Sequence, residues 1–143
     1  MRTLVMLAVM LVGSAASAAE TPNVPNFGGD WWSTRCSNIS LTQSGDRLSG
    51  VYTRPQDSIG RQSFELSGYV SGDLVAFVVK LGPDGPIGTW AGQHTFEQEA
   101  ERVVMRWHMT VDVPDEEEND DSLLKSVWQG ADTFSRTAPA RCR

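Results

Sequence analysis

From Asp30 to Thr137 the chain repeats one unit: a strand-like run, alternating or continuously apolar, closed by turn residues. No stretch carries a helical period. The first run is Asp30 to Leu41, closed by Ser44-Gly45-Asp46. Arg47 to Arg54 stops at Pro55 and the polar loop through Gly60, and Ser63 to Val70 ends at Ser71-Gly72-Asp73, which has hairpin-turn chemistry. Leu74 to Leu81 is almost continuously apolar and ends at Gly82-Pro83-Asp84-Gly85. Ile87 to Phe96 and Arg102 to Val113 are long runs joined by a charged turn around Gln98-Glu99. Behind the acidic segment Asp112 to Asp121 come Leu123 to Gln129 and Asp132 to Thr137. About eight strands in a meander must deal with their edges, and closure into an eight-stranded antiparallel up-and-down β-barrel removes them. Such a barrel has an interior able to hold one small ligand. A two-sheet sandwich satisfies the same periodicity and is the second architecture to consider.

The residues before this region read differently. Met1-Arg2 is a positive start, Leu4 to Val12 an apolar run, and Ala16-Ser17-Ala18 or Ser17-Ala18-Ala19 a cleavage site, which together read as a secretory signal over residues 1–19. The apolar run is shorter than the about 20 residues that cross a bilayer. Residues 20–28, rich in Pro, Asn and Gly, read as a flexible lead-in, residues 29–138 as the barrel, and 139–143 as a tail. The expected location is secreted or periplasmic. A net charge of −6 argues against nucleic acid or anionic membrane as partners, because the phosphates that dominate such affinity would be repelled. Cys36 and Cys142 are the two cysteines, able to pair in an oxidising compartment or to remain free or link two chains. With His94 and His108 they show no metal-ligand spacing. The two histidines lie outside the motifs and read as surface or inter-subunit residues, so no nucleophile–base set for catalysis is in view.

A ligand site inside a barrel needs aromatic walls and a few fixed polar groups at its floor. The chain has five tryptophans. Trp31 opens the first run in Gly29-Asp30-Trp31, and alternation then places Ser33, Arg35 and Ser37 on its face. Gly88-Thr89-Trp90-Ala91-Gly92-Gln93 and Gly130-Ala131-Asp132-Thr133-Phe134 each set a ligand-capable side chain in a strand context flanked by glycine. These segments resemble signatures of the avidin/streptavidin family of biotin-binding barrels, and the resemblance extends over roughly Gly29 to Ser135. It implies that Ser37 and Tyr52 hydrogen-bond the ureido oxygen of biotin and that Asp132 accepts a ureido N–H. It also implies that Trp90, Trp107 and Met109 wall the ring. Ser33 falls where the family has an asparagine and is still able to donate.

Other positions depart from the family pattern. Arg35 stands at a usually apolar position. Arg54 replaces a serine that accepts the second ureido N–H, and an arginine can only donate. Leu74 to Leu81 lacks a wall tryptophan, its place falling to Val79 or Leu81. Leu124 stands where many members carry a tryptophan lent to a neighbouring subunit. The reading is a non-enzymatic exported protein that sequesters biotin or a biotin-like ligand without covalent chemistry, needs no cofactor and forms a homodimer or homotetramer. The alternative is a barrel plugged by Arg35 or Arg54 that acts as an inhibitor or protein-interaction module. A guanidinium hydrogen-bonded to Asp132 would mark it. The acidic segment reads as a solvated hairpin tip rather than a calcium loop.

Overall fold

A computed structural model describes residues 24–56 and 60–142. The signal segment 1–19 and the first part of the lead-in lie outside them. Eight strands form a closed antiparallel barrel in simple sequence order. They are β1 (Gly29–Ser33), β2 (Asn38–Ser44), β3 (Arg47–Gln56), β4 (Gly60–Ser71), β5 (Leu74–Lys80), β6 (Ile87–Glu97), β7 (Ala100–Thr110) and β8 (Val127–Ser135). The ring shuts where Trp32 pairs with Ser135 and Ser33 with Phe134. The barrel is therefore the architecture, not the sandwich.

The number of strands agrees with the sequence reading, but two boundaries move. Asp30 to Leu41 is two strands: the chain turns at Thr34–Ser37, with Cys36 in the left-handed region at φ 68°. The Ser33 side chain forms that turn, its Oγ accepting from Arg35 N at 3.0 Å and Ser37 N at 3.2 Å. A hydroxyl that offers the backbone such bonds competes with the strand ladder, and here it wins. Conversely, Leu123 to Gln129 and Asp132 to Thr137 are one strand, β8, and Leu123 belongs to a short helix, α1 (Asp120–Lys125). Asn119 caps that helix by accepting from Ser122 N, while Ser122 Oγ accepts from Asn119 N. This reciprocal box draws the apolar pair Leu123-Leu124 into a helical turn.

Two-residue hairpins join β2 to β3 and β4 to β5, and Gly45 and Gly72 supply the positive φ these turns need. The seven connections alternate ends, with β1–β2, β3–β4, β5–β6 and β7–β8 at one and β2–β3, β4–β5 and β6–β7 at the other. At the closed end Trp31 and Phe134 are fully buried. Trp31 Nε1 donates to the Phe27 carbonyl at 2.8 Å, and the Arg136 guanidinium lies 3.6 Å from the centre of the Trp31 ring. Arg136 also donates to the carbonyls of Gly28 and Asn26 and to Glu101 Oε2. The lead-in read as flexible thus contributes Phe27 to the plug, 1% exposed, because its carbonyl and those of its neighbours are all engaged. The residual void among Phe27, Trp31, Val75 and Met105 is about 10 Å³, at the lower limit for a single water.

His94 is a correction. It is buried rather than superficial, with its ring edge-on to Phe27, Trp31 and Phe96 and its Nε2 3.2 Å from Glu101 Oε1. The two-residue period of β6 that turns Trp90 inward turns His94 inward as well. His108 is exposed, as its alternation with Trp107 and Met109 requires. A disulfide joins Cys36 to Cys142, with Cα atoms 5.1 Å apart, and brings the C-terminal tail back along the outside to the β1–β2 turn.

Candidate ligand-binding site

The polar cluster inside the barrel is assembled from two strands and one turn. Ser37 closes the β1–β2 turn, Tyr52 faces inward from β3, and Asp132 faces inward from β8; all three are buried. Ser37 Oγ and Tyr52 Oη lie 3.0 Å apart, and either can donate. Asp132 Oδ1 accepts from Thr34 Oγ1 at 3.1 Å and from Thr133 N at 3.0 Å. Both bonds end on one oxygen, which leaves Oδ2 available as an acceptor among the described residues. Thr34 escaped the sequence reading, which placed it mid-strand with its side chain outward. The turn brings its hydroxyl to Asp132.

Ser33 is fully buried beside this cluster. Its Oγ already accepts two backbone N–H groups, so its only remaining hydrogen-bonding capacity is to donate. Burial pushes the Tyr52 phenol above its ordinary value of 10.0, with the Asp132 charge adding to the rise. The Ser37 hydrogen bond and the Arg54 and Arg35 charges oppose it. The phenol therefore stays neutral and keeps its proton as a donor at physiological pH.

Above this floor stand the aromatic walls. Trp90 is buried and stacks on Phe77 of β5 with ring centres 5.2 Å apart and planes 17° apart. It also leans against Tyr52 at 5.1 Å. Trp107 pairs across the ladder with Trp90 on one side and Gly130 on the other. Each indole lies over a glycine: a Cβ at Gly88 would come within 2.6 Å of Trp90, and one at Gly130 within 2.3 Å of Trp107. Those two glycines give the ring planes room to lie flat. Met109, half-buried, pairs with Gly88 and Trp128 nearer the open end. Trp128 has the inward parity of Gly130 and Asp132 but is 61% exposed, at the rim. The aromatic from β5 is Phe77; Val79 and Leu81 are buried apolar residues.

The two arginines flank the site. Arg54, half-buried, donates to Gln62 Oε1 at 3.3 Å and lies 5.4 Å from the Phe64 ring centre. Arg35, exposed on the turn, lies 5.8 Å from the Trp107 ring centre. Among the described residues neither forms an ion pair, and Asp132 takes its hydrogen bonds from the two threonines. No group of three His, Cys, Asp or Glu among the described residues is placed to hold a metal ion. Among the described residues a groove of about 690 Å³ lies elsewhere, on the outer faces of the central strands along Leu74, Ala76, Ala91 and Val104. That groove is mostly aliphatic, with Gln93 and Arg106 in its lining, and it lies outside the barrel; the buried cluster, with hydroxyls and a carboxylate brought together beside two indoles, is the better ligand site.

An inward carboxylate, a serine–tyrosine hydroxyl pair and two indoles now share one barrel interior. The avidin family model matches residues 21–137. The chain belongs to the avidin family. Solved structures agree on the fold of this avidin. A crystal structure of xenavidin superposes with a TM-score of 0.67 at 21% identity, over 80% of this chain and all of that one. A rhizavidin–biotin complex gives 0.61 at 18%, over 77% and 91% of the two chains. A short afifavidin–biotin complex gives 0.61 at 21%, over 79% and 90%. No curated protein matched the sequence.

Proposed function

We propose that this avidin binds biotin, or a small molecule built like it, without covalent chemistry and without acting as an enzyme. The observation that carries the reading is the floor: Asp132, with an oxygen left to accept, faces the same interior as the Ser37–Tyr52 hydroxyl pair. A cyclic urea needs donors for its carbonyl and an anionic acceptor for an N–H. The neutral phenol and the two serines donate, and the Asp132 carboxylate accepts in a site shielded from water, where such a bond is strong. Trp90, Trp107 and Met109 then pack the apolar ring of the ligand. Biotin is the ligand named for the rhizavidin and short afifavidin complexes that share the fold.

The signal-like start supports export, to the periplasm or outside the cell, and assembly as a homodimer or homotetramer is proposed with it. Isothermal titration of the purified protein with free biotin tests the ligand. Heat that saturates at one site per chain is expected, with Asp132→Asn weakening binding by about ten- to a hundredfold, the worth of one charge-assisted hydrogen bond. No heat at tens of micromolar protein would overturn the biotin reading and leave the fold untouched.

A further inference from the structure

The donor and acceptor balance of the site is uneven. Ser33, Ser37 and Tyr52 offer hydroxyl protons and Arg35 and Arg54 offer guanidinium protons, whereas Asp132 is the single carboxylate of the cluster. Both guanidiniums lie close enough to Tyr52 for their charge to act on its phenol. Each lies beside a ring, Arg54 with its Cζ 5.4 Å from the centre of Phe64 and Arg35 5.8 Å from that of Trp107; Arg54 gives one N–H to Gln62, and a guanidinium has five to give. Among the described residues neither arginine has an acidic partner; Arg61, Lys80, Arg106 and Arg141 have none either, but of these six cations only Arg35 and Arg54 act on the Tyr52 phenol. The acidic connection between β7 and β8 is at the same end of the barrel, but it is exposed and its field is screened within about 10 Å of water at ordinary ionic strength.

We propose that Arg35 and Arg54 form a carboxylate-selecting pair at the entrance, so that this site takes its ligand as the free acid and discriminates against neutral derivatives of the same molecule. The inference rests on the biotin reading and deepens it. Biotin ends in a carboxylate at the end of a flexible chain opposite its urea. With the urea on the Ser37–Tyr52–Asp132 floor, that chain leads toward the open end, where the two forks are. An arginine fork matches a carboxylate with two parallel hydrogen bonds, and an amide offers neither the charge nor the second acceptor. The serine-to-arginine change at position 54 thus moves hydrogen-bonding capacity from the neutral head of the ligand to its charged tail.

The test compares free biotin with biotinamide by isothermal titration, on the wild-type protein and on Arg35→Gln, Arg54→Gln and the double variant. In the wild type the acid is expected to bind about 10- to 100-fold more tightly than the amide, the size of one charge-assisted pair. Added salt should erode the difference, and the double variant should bring the ratio to within about threefold. Equal affinities for acid and amide in the wild type overturn the proposal and leave the biotin reading standing, with no variant needed. A ratio that persists in a folded double variant also overturns it. If neither compound binds the wild type, the biotin reading falls and this proposal falls with it.

Discussion

Replacing both cysteines with serine removes a cross-link whose ends are 106 residues apart in sequence. In the chain-entropy treatment a loop of that length restricts the unfolded chain by about 16 cal/mol/K, or about 4.8 kcal/mol at 25 °C. Native contacts near the bridge survive its removal: Arg61 Nη2 still reaches the Cys36 carbonyl, Thr34 N still bonds Thr133 O, and the Ser33 Oγ bonds still form the turn. The native state therefore changes little, and most of the loss comes from the unfolded side. C36S/C142S is expected to lose about 3–5 kcal/mol, which for a domain of this size lowers Tm by about 10–20 °C. Urea unfolding followed by tryptophan fluorescence measures it, with near-ultraviolet circular dichroism reporting on the native packing. The denaturant slope should also rise, because an uncross-linked chain exposes more surface when unfolded. A loss below about 1 kcal/mol with an unchanged slope would refute the reasoning. It would mean that the Cys36–Cys142 cross-link constrains the unfolded chain hardly at all.

Two further outcomes follow from the packing. Gly130→Val drives side-chain atoms into the Trp107 indole, since even a Cβ there comes within 2.3 Å; ligand affinity should fall at least tenfold, with a stability loss of about 1–3 kcal/mol by overpacking, read by titration and thermal melting. Glu101 is held below its ordinary value of 4.5 chiefly by the hydrogen bond from Arg136, so its contribution to stability is fully present above about pH 4.5 and is lost as pH falls through the lower folded value; melts from about pH 6 to about pH 3 should show a shallower acid loss in Glu101→Gln than in the wild type.

Much of the site was legible before the fold was known, because strand periodicity is local. The resemblance to the avidin/streptavidin family implied that Trp90, Trp107, Tyr52 and Asp132 face inside, and the two-residue period of their strands agrees. The same period places His94 inside. The sequence reading missed it by weighing the residue type, a polar ring outside the motifs, above its parity with Trp90. The Ser33–Ser37 stretch failed for a different reason. An unbroken strand would carry both serines on one face, and they do meet, but through a turn that the Ser33 hydroxyl itself makes. Local alternation cannot register a side chain that bonds its own backbone. Thr34, Phe77 and the rim position of Trp128 had no signal beyond strand membership, since each depends on which other strand lies opposite.

The amino-acid sequence alone determined the all-β class, the number of strands and the glycine hairpins, while the barrel rather than a sandwich waited on the pairing of β1 with β8. The first three follow from interactions between neighbours in the chain, whose period and turn chemistry are written locally. Only the tertiary structure decided that Phe27 and Arg136 seal one end, that Cys36 pairs with Cys142, and that Thr34 holds Asp132. It also decided that Arg35 lies beside Trp107 and Arg54 beside Phe64. Those contacts join residues far apart in the chain. Closing the barrel brings them together, and a linear pattern carries no record of that geometry.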